Sequence, residues 1–326
     1  MTRYLATRLA QVLATLAIMS VIVYLLIGLM PGDPIDLMIS GTPKMTAEDA
    51  KRLRALYGVD KPLVERYLAW AQQALSGNLG YSRTFNRPVL SVLGPRLVNT
   101  IELAGFAFLI AAAIALPLGM WAAARPRSTA DYLVNLLCFA GISMPTFWLA
   151  LLLISLFAVN LGWLPAGGIA DVRAGTSFLA ALGQKVRFAI LPVSTLAIVQ
   201  LGVYTRFMRG AMIEVLRQDY VRTARAKGAS EPRVVMGHAF ANALAPVLTI
   251  LALSFGALFS GAMITETMFA WPGMGAMIYQ AITTNDFNLA LVGLLLATFT
   301  TIAGNLLADL AQAWVDPRVS LSERER

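Results

Sequence analysis

The sequence predicts an all-α integral membrane protein with six transmembrane helices and a small helical extracytoplasmic subdomain between the first two. Composition, hydrophobic run length and the placement of charge carry that prediction. Of 326 residues, 58% are hydrophobic and 13% charged, against about 45–50% and roughly 25% in soluble domains. The mean hydropathy is +0.67. Six apolar runs, 9–29, 100–124, 133–161, 189–207, 243–265 and 289–313, are close to or above the ~20 helical residues that a bilayer core requires. A soluble single-core enzyme, a disordered chain, a coiled coil and a collagen are excluded by the same figures. The net charge of +8 would suggest nucleic acid in a soluble protein. Here the cations sit in loops, so no nucleic-acid partner is expected. Cys138 is the only cysteine, so the chain forms no internal disulfide.

The first run follows Arg3 and Arg8 and enters Met30-Pro31-Gly32-Asp33-Pro34 without a small-x-small cleavage site. It is too long for a signal h-region and reads as a retained helix. In the polar stretch 31–98, Thr46 and Asp49 form a capping-box-like start for a helix over 50–56 that Gly58 ends. A second helix is predicted over 63–75, with Leu63, Tyr67, Trp70, Ala71 and Ala74 on one face and Ser76-Gly77-Asn78 as its stop. Pro117, Pro145 and Pro246 are candidate kinks in later spans, and Gly256, Ser260 and Gly261 would let the fifth helix approach its neighbours. The ionisable residues noticed in or beside the spans, Glu102 and Asp309, stand near helix ends, within reach of water, and read as structural.

Basic residues concentrate on one side. With the N-terminus inside, the cytoplasmic segments hold Arg3, Arg8, Arg125, Arg127, Arg206, Arg209, Arg217, Arg222, Arg225, Lys227, Arg233, Arg318, Arg324 and Arg326, whereas the short outer loops hold Arg173, Lys185 and Arg187. Both termini are therefore expected in the cytoplasm. The organisation that follows is 1–30, N-terminus and first helix; 31–98, outer subdomain; 99–314, five-helix core with a cytoplasmic loop over 206–242; and 315–326, tail.

Chemistry is poorly supplied. The sequence contains no GxxxxGK[ST] phosphate loop and no G-x-S-x-G elbow, and His238 has no partner at HExxH spacing. Ser143, Ser155, Ser254 and Ser260 have no evident base, which disfavours an intramembrane hydrolase. A stand-alone carrier would ordinarily show a mid-membrane carboxylate or an inverted repeat, and neither is evident. If transport is active, its energy enters through another protein.

The loop over 206–242 is the candidate entry point. Asp219 reads as the N-cap of a short helix over 220–227, with Gly228 as its stop. Ser230 and Pro232 open the next helix. Val221, Ala224 and Gly228 fall on one narrow face, flanked by Arg222, Arg225 and Lys227. That ridge suits insertion into a groove on a partner. An ordinary helix–turn–helix with positive-inside charge fits the same residues.

The run Asp219-Tyr220-Val221-Arg222-Thr223-Ala224-Arg225-Ala226-Lys227-Gly228, with His238-Ala239-Phe240-Ala241-Asn242-Ala243-Leu244, closely resembles the coupling loop of the first permease subunit of bacterial dipeptide/oligopeptide ABC importers. Further stretches agree: Pro31-Gly32-Asp33-Pro34, Gly80-Tyr81-Ser82, Arg87-Pro88-Val89, the run from Gly141 to Trp148, Leu161-Gly162-Trp163-Leu164-Pro165, Ala270-Trp271-Pro272-Gly273-Met274-Gly275 and Asp316-Pro317-Arg318. The broader importer motif places Glu where this chain has Arg222, and Ile and Leu where it has His238 and Phe240. The resemblance implies a type I ABC importer permease fold in the bacterial cytoplasmic (inner) membrane. It implies a second permease, two ATP-binding cassette subunits that hold ATP and magnesium, and an extracytoplasmic solute-binding protein. This chain itself would carry no cofactor and no metal, and would not be an enzyme. Residues 219–228 would enter an ATPase cleft, and Trp271, Pro272, Gly273 and Met274 would face the binding protein or form an outer gate. Short peptides are the implied cargo; nickel chelates, glutathione and opines belong to the same subfamily.

Overall fold

The computed structural model describes residues 2–29, 48, 61–170 and 177–315, without the side chains of 2–6, 8, 256–261 and 308–315. The expected helix over 50–56, the 31–34 turn and the 316–318 tail lie outside those residues, as does the packing around Gly256, Ser260, Gly261 and Asp309. Apolar helix dominates, because a bilayer leaves backbone amides and carbonyls no partner except one another.

Helix α1 is Thr2–Gly28, α2 is Leu63–Leu75, and a two-residue hairpin pairs β1 (Tyr81–Ser82) with β2 (Arg87–Pro88). There follow α3 (Val89–Ala124), α4 (Thr129–Ser143), α5 (Thr146–Leu153) with a π-helical continuation over Ile154–Asn160, and α6 (Phe178–Leu216). Beyond α6 lie α7 (Asp219–Ala226), α8 (Glu231–Arg233), a π-helical segment (Val234–Phe240), α9 (Ala241–Met268), α10 (Met274–Thr283) and α11 (Phe287–Val315). By length and composition, Leu9–Gly28, Val89–Ala124, Phe178–Leu216, Glu231–Phe255 and Phe287–Leu307 can each cross a membrane.

The sixth candidate span departs from expectation. The run 133–161 reads as one helix, but the chain bends by 103° between Thr129–Ser143 and Thr146–Asn160. Pro145 has no amide hydrogen and forces the residue before it out of helical geometry. Met144 accordingly takes φ −80° and ψ 127°, and Pro145 becomes the N-cap of α5.

Two compact units form, each assembled from separate stretches of chain. One comprises Met1–Asn99 and Gly273–Thr300, the other Thr100–Pro272 and Thr301–Arg326. In the first, Val23 and Ile27 of α1 pack with Val89 and Leu93 at the start of α3 and with Met274, Met277 and Leu289. Helix α2 leans on α1 through rings, Tyr24 lying 5.5 Å from Tyr67 and 5.9 Å from Trp70. Asp286 ties the hairpin to the head of α11: its Oδ2 accepts from Ser82 Oγ at 2.6 Å and from the Thr84 amide at 2.9 Å. Arg83 donates to the Thr284 carbonyl at 2.5 Å.

The second unit is built around α6, whose 39 residues extend about 58 Å. An alanine stripe on α3, Ala107, Ala111 and Ala115, meets Tyr204, Met208 and Met212 of α6 and Ala243, Val247 and Leu251 of α9 in one core. Small residues set the helix spacing. A Cβ on Gly119 would stand 2.7 Å from the Thr205 carbonyl oxygen, and one on Gly202 would stand 2.6 Å from the Cys138 carbonyl oxygen. Both obstacles are backbone, so relief requires the helices to separate.

Gly119→Ala is therefore expected to lower stability by about 1–3 kcal/mol, read as a fall in melting temperature in detergent. Gly105→Ala, on the same helix with open space at its Cβ position, is expected to be neutral or stabilising.

Candidate functional site

The segment joining α6 to α9 makes a short hairpin of helices. Helix α7 follows a two-residue link and has Gln218, not Asp219, as its N-cap, with no side-chain cap bond. Asp219 is instead the first helical residue, where its carboxylate favours the positive end of the helix. Its carbonyl accepts from Thr223 Oγ1 at 2.9 Å. The C-terminus closes as the sequence suggests. Gly228 takes φ +84°, its amide donates to the Arg225 carbonyl, and the Ala229 amide donates to the Ala224 carbonyl. That pair of bonds is the Schellman arrangement, which requires a left-handed residue where Gly228 stands.

An ion pair spans the turn. Arg225 Nε donates to Glu231 Oε1 at 2.7 Å, and Nη2 donates to Oε2 at 3.1 Å. The bond to Glu231 raises the Arg225 guanidinium pKa above its ordinary value. Ser230 is the N-cap of α8 with Pro232 in the first turn, although its hydroxyl makes no cap bond.

The small-residue ridge faces inward. Val221 is fully buried and Ala224 half-buried, with α7 packed on the π-helical segment that holds buried Val234 and Ala239. The ridge of Val221 and Ala224 fastens α7 to its own chain and is not the edge offered outward. Tyr220, Arg222, Thr223, Ala226 and Lys227 are exposed. The Arg222–Asp219 pair at 3.3 Å lies in solvent and contributes little.

A second charged cluster sits where α4 meets α6. Arg209 grips Asp131 with both arms, Nε to Oδ1 at 2.6 Å and Nη2 to Oδ2 at 2.7 Å. Ser128 caps α4 by accepting from the Asp131 amide, Arg127 at φ +63° donates its amide to Oδ2, and Asn135 donates to Oδ1. The Asp131 side chain is 4% exposed and that of Arg209 26%. Ser128 and Asp131 carry the Ser-x-x-acid spacing of a helix start. Nothing local to them announces Arg209, seventy-eight residues on.

Besides Asp131, two further buried carboxylates escaped the sequence reading, which took the spans to hold little charge. Glu266 is completely buried and accepts from Thr100 Oγ1 at 2.5 Å. It lies one position beyond the run 243–265. Asp286 is 1% exposed and lies between the runs 243–265 and 289–313. Glu102 pairs with Lys185, both partly exposed.

The Trp271 segment is a turn. Ala270 takes φ +46°, and the Trp271 amide donates to the Glu266 carbonyl at 2.8 Å. Trp271, Gly273 and Met274 are buried and Pro272 half-buried, leaving little side-chain surface. Among the described residues, no group of three or more His, Cys, Asp or Glu could hold a metal ion.

Residues 115–321 match the family described as binding-protein-dependent transport system inner membrane component, and residues 1–104 match the N-terminal part of such membrane components. The chain is similar to the di/tripeptide transport system permease protein DppB of Pseudomonas aeruginosa, 39% identical over 98% of this chain and 99% of that protein. It is also similar to the oligopeptide transport system permease protein AppB of Bacillus subtilis, 33% identical over 98% and 99%. A crystal structure of an amino acid ABC transporter with histidines matches the fold with a TM-score of 0.51 at 14% identity, covering 68% of this chain and 93% of that one.

The Asp131–Arg209 pair generates a prediction. Asp131→Ala strands a cation between α4 and α6, and is expected to cost about 2–4 kcal/mol, discounted for the exposed part of Arg209. The double variant with Arg209→Ala is expected to cost less than the sum of the two singles. A double-mutant cycle on melting temperatures checks this.

Proposed function

Because the chain belongs to the inner membrane components of binding-protein-dependent transport systems, we propose that it is a permease subunit of an ATP-driven importer and forms half of the pathway for short peptides. The observation that carries the substrate class is agreement along 98% of the chain with permeases named for di/tripeptide and oligopeptide transport. A second, similar permease completes the pathway in this reading. Two ATP-binding cassette subunits hold ATP and magnesium, and an extracytoplasmic binding protein delivers the cargo. The chain itself performs no covalent chemistry. It works in the bacterial cytoplasmic membrane with both termini and the α7 loop in the cytoplasm, a placement supported by the crowding of arginine in those segments.

The exposed edge of α7, with Tyr220, Thr223, Ala226 and Lys227, enters a cleft of one ATPase. Closure of the ATPases around nucleotide displaces α7. Buried Val221 and the Arg225–Glu231 brace make α7 move with the segment that continues into α9, while the short link at Arg217 and Gln218 carries the same displacement to α6. Opposed rigid-body movement of such helices opens one side of the pathway and closes the other. The free energy linking nucleotide and cargo passes through this loop. The Trp271-Pro272-Gly273-Met274 turn serves as a stiff outer gate element, since its burial suits holding a helix end better than grasping a ligand.

The reading is tested by ATPase stimulation in vesicles that hold the complete importer, offered di-, tri- and longer peptides, glutathione and nickel chelates. Stimulation by one peptide class, dependent on the binding protein, is the expected result. Stimulation by glutathione or a chelate alone would reassign the cargo, and failure of any ATPase to copurify would remove the importer reading.

Gly228→Asp gives a sharper check on the docking edge. A side chain at Gly228 meets nothing within 4 Å, so the cost is left-handed backbone strain of about 1 kcal/mol. Membrane insertion is expected to survive while ATPase copurification and stimulation fall together. Full transport with stoichiometric ATPase subunits would refute the assignment.

A further inference from the structure

A groove of about 540 Å³ opens on the second unit, between α4, α6 and α9. Its walls are apolar, with Ile142, Val203, Phe207 and Pro246 among them. Its charged members are Arg206 and Glu214, both on α6 and both exposed. The volume falls within the range of small-molecule sites, which pair apolar walls with a few polar groups that orient the ligand.

Among the described residues, neither charge is paired with an opposite charge. Glu214 forms no ion pair or side-chain hydrogen bond among the described residues. Arg206 lies over the Phe139 ring, 4.7 Å from its centroid, a contact that steadies the guanidinium and leaves its donors free. Arg209, the next cation on the helix, is occupied by Asp131.

Arg206 and Glu214 stand eight positions apart on the helix, about 12 Å of rise. Extended peptide advances about 3.3–3.6 Å per residue, so a tripeptide or tetrapeptide reaches from one to the other. We propose that this groove is a transient site for a zwitterionic short peptide, with Arg206 receiving the C-terminal carboxylate and Glu214 the N-terminal ammonium. Apolar walls between the two charges accept varied side chains, and the charges read only what every free peptide has in common. The site lies on the helix that runs into α7, so it stands at the release end of the pathway. This inference rests on the peptide-importer reading and adds to it a pair of specificity-determining residues.

The test is uptake of a labelled tripeptide by vesicles containing the complete importer, for wild type, Arg206→Gln, Glu214→Gln and the exchange of Arg206→Glu with Glu214→Arg. ATPase copurification verifies that each complex has assembled. Each single variant is expected to lower uptake about tenfold, the scale of one charge-assisted bond. The exchange is expected to recover most of that loss, because a zwitterion binds equally well reversed. With C-amidated tripeptide, Arg206→Gln is expected to lose little relative to wild type, and with N-acetylated tripeptide the same holds for Glu214→Gln. Unchanged uptake in both singles, or an exchange no better than either single, would overturn the assignment and mark the groove as a lipid or subunit contact. Wild-type vesicles that hydrolyse ATP but take up no peptide would overturn the cargo reading itself, which separates the two failures.

Discussion

Contact between helix backbones is the constraint on which the second unit depends. Glycines on α3 and α4 face the α6 backbone: Gly119 opposes the Thr205 carbonyl, and Gly141 opposes the Ile198 carbonyl. From within α6, Gly202 opposes the Cys138 carbonyl on α4. Association in lipid gains little from burying apolar surface, so dispersion between close surfaces and a few polar contacts must hold the helices. Near one end of that contact the Asp131–Arg209 pair adds a directional bond where packing alone would permit sliding. The close approach fixes distance and the ion pair fixes register.

The same arrangement gives α6 its mechanical character. A helix of 39 residues, packed from Leu191 to Met212 and ending two residues before α7, has little room to bend near the loop. The loop is stiff as well. Its Schellman closure at Gly228, the Arg225–Glu231 bridge and the buried Val221 leave few free torsions between α7 and α9. A displacement delivered to α7 therefore reaches two long helices and is not absorbed as local fraying.

Local signals were legible in the sequence and long-range ones were not. Helix α2 occupies Leu63–Leu75 because proline, an amphipathic face and Ser76-Gly77-Asn78 bound it within the stretch itself. Gly228 announces its left-handed conformation because no other residue adopts it at so low a cost. The bend at Pro145 was underestimated as a kink. Proline guarantees an interruption, but its angle depends on what the flanking helices pack against. The orientation of α7 was reversed for a similar reason. Small residues on one helix face suit a neighbour of either origin, and only the fold shows that Val234 and Ala239 supply it internally. Asp131, Glu266 and Asp286 were overlooked because their partners, Arg209, Thr100 and Ser82, lie far away in the chain.

The composition of the first unit bears on the order in which the protein can be made. Val23 and Ile27 share a core with Met274, Met277 and Leu289, and the Ser82–Asp286 bond closes over 204 residues. During synthesis, α1 must leave the insertion machinery long before those partners exist. Its apolar stretch is the most hydropathic of the candidate spans and the least covered by the rest of the protein. A helix with those properties is at home in lipid by itself. The nascent chain can therefore wait with α1 embedded and the hairpin region unfastened, and the unit closes only when α10 and the head of α11 arrive.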